Sequence, residues 1–399
     1  ANAMKNNLEQ TGQAEVKVVD IIKEYTSHFN SWIVDKGYNI AVGYLRPLYD
    51  LFYNAYFKYP VEKASVCPPQ TSVKSLNGKL LKLIYEFKPD VIYTTTYYGG
   101  MALANLRRVY KLPSFNIVCM LDYVVSPFWE PSIGGVEILT MAHEDNRAKL
   151  LEKGFDNKNL LMTGIPVSDK FSKEIDKTKA REMLGIDKDL FTVFIFYGGG
   201  HWQGSYGILK ALLKGVKKKI QIIICNGHNE KTKKKIDKEM SKYPENFKIV
   251  NYGFVNNVDV IMSASDVMIG KGGGLSTTEA VNKGLPLIAT YKLPGQEYYN
   301  IQFLKEKGVA LSFGNYKELV RHINYLYDSR DVLTRMSLGM KEMKTTAIDT
   351  IAELIMSQPD ADYDGINTSL DYGKVNKIVN HARKRRYKEI KKQKKNMRK

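Results

Sequence analysis

The sequence predicts two successive α/β domains, each a parallel sheet flanked by helices, followed by a basic tail. Strand-like apolar runs alternate with helical periodicity, and after a charged stretch at 173–189 the alternation starts afresh. Glycine clusters also stand directly after several strand-like runs, which is where open α/β sheets meet their ligands. The chain has 399 residues, enough for two domains with cores of their own and far too many for a small disulfide- or metal-stapled module.

The first ten residues, ANAMKNNLEQ, read as a helix, Gly12 as a turn, and 16–21 as a strand. A helix at residue 1 of such a domain implies a preceding strand and loop, so the natural start is expected upstream of Ala1. Strands follow at 89–95, 115–121, 136–141 and 159–163, with helices at 73–87 and 144–154. The second domain opens with FTVFIFY (191–197). It continues with a helix at 204–215, strand IQIIIC (220–225), a helix at 229–242, strands at 247–254 and 266–270, a helix from Thr277, strand PLIAT (286–290) and a helix near 297–307. Helices at 316–327 and 340–357 would close it. The expected division is therefore 1–170, 171–357, and a linker and tail over 358–399.

The formal net charge is +18, and residues 382–399 alone hold eleven Lys/Arg against Glu389, or +10 of that excess. The charge is concentrated in the tail, which predicts an anionic partner. The tail reads as a solvated disordered end, an RNA-binding arm or an anchor to anionic lipid; only Tyr387 interleaves the basic run, so stacking on bases is poorly served and lipid is favoured over nucleic acid. Cys67, Cys119 and Cys225 are far apart and lack CxxC spacing, which predicts reduced structural thiols in the cytoplasm and no metal site. Apolar runs fall well short of the roughly 20 residues that span a bilayer, so membrane contact would be peripheral.

Gly198, Gly199 and Gly200 follow the first strand of the second domain and precede a helix, where backbone N–H groups and the positive helix end can hold a phosphate. A tight turn needing positive φ is the competing reading. Lys271, Gly272, Gly273 and Gly274 follow DVMIG and precede Leu275, Ser276 and Thr277, with Glu279 expected in the first helical turn. An acid there either favours the helix dipole or accepts hydrogen bonds from vicinal ribose hydroxyls. In PGQEYYN (294–300), Gln296, Glu297 and Asn300 share one helical face, either as ligand contacts or as a solvated helix start.

KGGGLSTTEAVNKGLPLI (271–288) followed by PGQEYYN resembles the donor-sugar signature of GT-B glycosyltransferases, a family that includes monogalactosyldiacylglycerol synthases, processive diacylglycerol glucosyltransferases and the peptidoglycan GlcNAc transferase. GIPVSDKF (164–171), the Gly198 triplet, Gly227-His228-Asn229 and the pair Asp122 and Trp129 resemble the diacylglycerol branch. The resemblance implies two Rossmann-like domains facing each other across a cleft, with a UDP-sugar held by the second. Glu279 would hold the ribose, and Phe254 and Val255 the uracil. The amides of 198–200 and of Gly273, Gly274, Leu275 and Ser276 would hold the diphosphate, with Gln296, Glu297 and Asn300 on diphosphate and hexose. His228 and Asn229 would complete the donor site. It further implies that no metal or cofactor is needed, since amides and a helix dipole stabilise departing UDP, and that Asp122 is the catalytic base.

The departures are specific. Gly272 stands where many relatives carry Pro, which is expected to alter only loop stiffness; His201-Trp202-Gln203 interrupts the Gly-rich loop; and Ser126 replaces a His. The family's first Gly-rich loop and its His would precede Ala1, so this stretch is expected to lack part of the acceptor site.

Residues 44–59 are dense in aromatics, and Tyr49, Phe52, Tyr53 and Tyr56 recur at helical spacing. With Phe57 broadening the apolar surface, this helix is expected to line an acyl-chain groove or dip into lipid, the alternative being plain core. Trp129 is expected on the same acceptor surface. The reading as a whole is transfer of a hexose from UDP-glucose or UDP-galactose to diacylglycerol, or to a glycosylated diacylglycerol, by a peripheral protein on the cytoplasmic face of an anionic membrane. A different lipid-linked acceptor, or a non-catalytic nucleotide-sugar-binding regulator, is the alternative. Nothing in the sequence speaks to oligomeric state.

Overall fold

A computed structural model describes residues 1–25, 76–196, 204–240, 247–290, 295–382 and 385. Tyr49, Phe52, Tyr53, Tyr56 and Phe57, the triplet Gly198, Gly199 and Gly200, and nearly all of the basic tail lie outside the described residues. The chain forms two compact units, Ala1–Ile165 together with Ala347–Lys399, and Pro166–Thr346.

The first unit opens with α1 (Asn2–Gln10) and α2 (Ile21–Tyr25); where a strand was expected at 16–21, residues 14–20 form none among the described residues and Ile21 already opens α2. After α3 (Leu76–Phe87) come β1 (Val91–Thr94), α4 (Tyr97–Tyr110), β2 (Phe115–Cys119), a 3₁₀ turn (Pro127–Ser132), β3 (Ile138–Met141), α5 (Asn146–Glu152) and β4 (Leu160–Met162). The four strands are parallel in the order β1-β2-β3-β4. Helix α4 went unread in the sequence because Gly99 and Gly100 break its apolar pattern. Close packing explains them: a Cβ on Gly99 would lie 2.1 Å from Thr94 Oγ1, while Thr96 caps the helix through Gly99 N–H at 3.1 Å.

The second unit runs α6 (Lys177–Met183), β5 (Phe191–Phe196), α7 (Ser205–Gly215), β6 (Ile220–Cys225), α8 (Glu230–Met240), β7 (Phe247–Tyr252), α9 (Val258–Ala264), β8 (Val267–Gly270), α10 (Gly274–Asn282), β9 (Leu287–Thr290), α11 (Gln296–Glu306), β10 (Ala310–Phe313), α12 (Tyr316–Asp328) and α13 (Arg330–Glu342). Its six parallel strands lie in the order β10-β9-β8-β5-β6-β7. The inner strands are apolar on both faces, as a sheet covered by helices requires, and all six residues of β6 are buried. Burial pushes the Cys225 thiol up to about 12, and Cys119 is likewise buried and unpaired, so both behave as small core hydrophobes.

The expected domain limits need correction at the C-terminal end. Helix α14 (Ala347–Met356), assigned from sequence to the second domain, belongs to the first unit: Ile348, Ile351 and Ala352 bury against Met4 and Leu8 of α1 and Cys119 of β2. Residues 358–382, read as a linker over 358–372 and the start of the tail after it, also pack there. Tyr363, Val375 and Val379 share a core with Leu76, Leu80 and Leu81 of α3. Periodicity shows that a helix has a buried face, but not which unit supplies the other side.

Candidate active site

In the second unit the chain proceeds outward from β5 to β6 and β7, then returns to β8 on the other side of β5 and proceeds to β9 and β10. The carboxyl ends of β5 and β8 therefore flank the switch point, where doubly wound sheets open a crevice for ligands. The loop after β8 is Lys271-Gly272-Gly273, and it leads straight into α10.

Helix α10 begins at Gly274 rather than Thr277, with Gly273 as its N-cap and no side-chain cap. Ser276 and Thr278 instead turn their hydroxyls back onto the carbonyls of Gly273 and Gly274, at 3.3 and 2.8 Å. Its first-turn N–H groups, those of Gly274, Leu275 and Ser276, have no capping side chain and carry the positive end of the helix dipole, an arrangement suited to an anion. Leu275 is exposed beside them. The earlier start also moves Glu279 out of the first turn into the second, which corrects the sequence expectation and removes dipole stabilisation as its reason for being there.

Glu279 is instead partly buried, and burial pushes its carboxyl up to about 7, with the charge of Lys170 pulling the other way. Lys170 belongs to the GIPVSDKF motif. Its ammonium donates to the carbonyl of Asn256 at 2.5 Å and stands 3.6 Å from Asp259 at the start of α9. One cation thus links the 169–171 turn, the 254–257 loop and α9, and acts on Glu279 as well.

Helix α11 closes the other side of the glycine loop. Gly295 caps it with φ +77°, Asn300 is fully buried and donates Nδ2–H to Gly272 O at 2.9 Å, and Glu297 pairs with Lys271 at 2.9 Å. A Cβ on Gly272 would fall 2.3 Å from Glu297 O and 2.6 Å from Ile301 Cγ1, so Gly272 does more than set loop stiffness: it lets α11 sit against the loop. Asn300 and Glu297 thereby shape the loop, while Gln296 lies at the helix start, partly exposed.

Beyond β6 and β7, His228 stacks on Phe254 with centroids 4.6 Å apart and planes at 11°; Phe254 is 60% exposed, and Val255 follows it, partly buried. Asn229 accepts Thr232 N–H at 3.0 Å and so caps α8. In the first unit, Asp122 lies just past β2, partly buried. Trp129 departs from the expected exposed position: it is 2% exposed, packed edge-on against Tyr97 at 6.2 Å within the core beneath α4. Ser126, buried beside it, accepts Phe128 N–H at 3.3 Å and caps the 3₁₀ turn.

Sequence reading gave Lys170 and Lys271 no role, because a single lysine in a motif has no spacing to mark it. The visible signals were the GIPVSDKF motif that contains Lys170 and the glycines that follow Lys271.

Residues 1–167 match the family model of monogalactosyldiacylglycerol (MGDG) synthase, and residues 203–354 match the glycosyltransferase family 28 C-terminal domain. The chain thus resembles an MGDG synthase domain in its first part and a glycosyltransferase family 28 C-terminal domain in its second. Two relatives are processive diacylglycerol β-glucosyltransferases. That of Bacillus licheniformis is 25% identical, with 90% of this chain and 89% of that protein covered. That of Bacillus subtilis is 26% identical over 67% of this chain and 68% of that one. Among solved structures, MurG of Acinetobacter baumannii aligns with TM-score 0.54 at 16% identity, covering 72% of this chain and 79% of that one. The chain accordingly has the GT-B fold, with the Gly272 loop, Glu279 and α11 all in its second unit.

Proposed function

We propose that this glycosyltransferase moves a hexose from UDP-glucose or UDP-galactose to diacylglycerol, or to an already glycosylated diacylglycerol, as a peripheral protein on the cytoplasmic face of the membrane. The observation that carries the donor assignment is convergence at the switch point: uncapped N–H groups of α10 for a diphosphate, and a carboxylate at Glu279 for ribose hydroxyls. The names of the relatives support diacylglycerol as acceptor.

In this reading an acceptor hydroxyl attacks the anomeric carbon. The bond from that carbon to the UDP oxygen breaks with its electron pair leaving on UDP, and Asp122 takes the hydroxyl proton. The amides and dipole of α10 stabilise the charge that develops on the departing diphosphate, without a metal ion. Phe254 offers the face on which the uracil rests, with His228 behind it.

The test is incubation with radiolabelled UDP-glucose or UDP-galactose and diacylglycerol vesicles, followed by organic extraction. Label should enter the lipid phase with one of the donors, undiminished by EDTA. Aqueous label with both donors, despite measurable UDP binding, would favour the regulatory reading instead, since the Ser126 and 201–203 departures would then reflect lost catalysis.

A further inference from the structure

The groups proposed to hold the nucleoside lie on separate elements, Phe254 and Val255 on the loop after β7 and Glu279 in the second turn of α10. A third element must set the distance between them, and the short turn 169–173 is bonded to both sides. Lys170 reaches from this turn to the loop. Its ammonium donates to Asn256 O, the carbonyl that follows Val255, at 2.5 Å and stands 3.6 Å from Asp259 in the first turn of α9. The same turn is fastened to the far end of α10, where Asn282 Nδ2–H donates to Ser172 Oγ at 3.4 Å and Lys283 Nζ–H to Lys173 O at 2.6 Å. Lys344, just past α13, donates to Ser172 O at 2.9 Å, and Phe171 is buried and seats the turn.

Charge follows the same path. Burial pushes the Glu279 carboxyl up to about 7, and the cation that opposes this is Lys170. Lys283 stands in the fields of Asp259, Lys344, Glu174 and Lys170, and Asp169 lies beside Lys170 in the turn itself. Removing Lys170 would therefore leave the loop untied and the Glu279 carboxylate without its opposing cation, while the α10 amides at Gly274, Leu275 and Ser276 keep their places.

We infer that Lys170 is a positioning residue for the donor nucleotide: by tying the 254–257 loop to the turn that α10 fastens, it fixes the distance between the surface that receives the base and the carboxylate that receives the ribose. The inference rests on the UDP-sugar donor proposed above.

The experiment is calorimetric titration of UDP, and separately of inorganic pyrophosphate, into the full chain between pH 6 and pH 9. Wild type is compared with Lys170→Met, Lys170→Gln and Lys170→Arg, with thermal melting of each to confirm folding. Lys170→Met should bind UDP about tenfold or more weakly at pH 8 and bind pyrophosphate as wild type does, and the pH at which UDP binding tightens should rise by about one unit. Lys170→Gln keeps a donor for Asn256 O and drops the charge, so it should show the same rise in pH with a smaller loss of affinity, and it carries the test if the methionine variant does not fold. Lys170→Arg should restore most of the affinity and the wild-type pH profile. UDP affinity and pH profile like wild type in both uncharged variants would overturn the inference and leave the donor reading standing. Equal losses for UDP and pyrophosphate with an unmoved pH profile would also overturn it, since Lys170 would then only support the fold. Absence of UDP binding to wild type would remove the donor reading itself, and the inference with it.

Discussion

The two units use one architecture to different ends. The described sheet of the first unit grows in one direction, β1-β2-β3-β4, while that of the second reverses about β5. Reversal sets the carboxyl ends of β5 and β8 side by side at the switch point, and β8 leads there through Gly272 and Gly273 into the uncapped start of α10, the helix that carries the partly buried Glu279. In the first unit the corresponding effort goes into closure. Trp129 and Tyr97 fill the core under α4, and the chain's last described residues return to cover α3. A ligand site and a covered face are thus alternative outcomes of the same βα repeat, decided by strand order and by what packs at the strand ends.

The largest expected effect breaks the comparison in the first unit. Trp129→Ala should cost about 3–5 kcal/mol in denaturant unfolding, as for other large core truncations. A variant of wild-type stability that has lost lipid binding would put Trp129 back on an acceptor surface. Next, Gly272→Ala must push α11 off the glycine loop. A loss of about 1–3 kcal/mol, with weakened donor binding, is expected from overpacking against backbone; an unchanged melting temperature and donor affinity would show that the loop yields freely. The smallest is Tyr363→Phe, which removes the hydroxyl hydrogen bond to Pro89 O and should lower stability by about 1 kcal/mol. No change there would mean that this hydrogen bond adds nothing to the packing of 358–382 on the first unit.

What could be read from sequence follows the same division. The strand-glycine-helix runs of the second unit are local signals, so β5, β8, β9 and the glycine loop after β8 were legible. The burial of Glu279 was not, because burial is set by tertiary packing, and the charge that acts on it, Lys170, lies more than a hundred residues earlier in the chain. Helix α14 showed its apolar stripe but not its partner α1, which lies at the other end of the chain. Trp129 was misread for a related reason: residue type alone makes a tryptophan next to a candidate base look like a substrate contact, and only the packing of Tyr97 and Phe128 around it says otherwise. Gly272 carried a visible motif, but its requirement for the absence of a Cβ comes from α11, contributed by the next βα unit.

The donor site at the switch point is tested most directly by titrating UDP-glucose or UDP-galactose, whichever binds, into wild type and Glu279→Gln at pH 6 and pH 8. The carboxyl is held up to about 7, so it is mostly protonated at pH 6 and mostly ionised at pH 8; only the ionised form accepts from both ribose hydroxyls. Wild type should bind about tenfold more tightly at the higher pH, and Glu279→Gln should bind weakly with no such dependence. Equal affinity of the two proteins at both pH values would contradict the assignment of Glu279 to the nucleotide sugar.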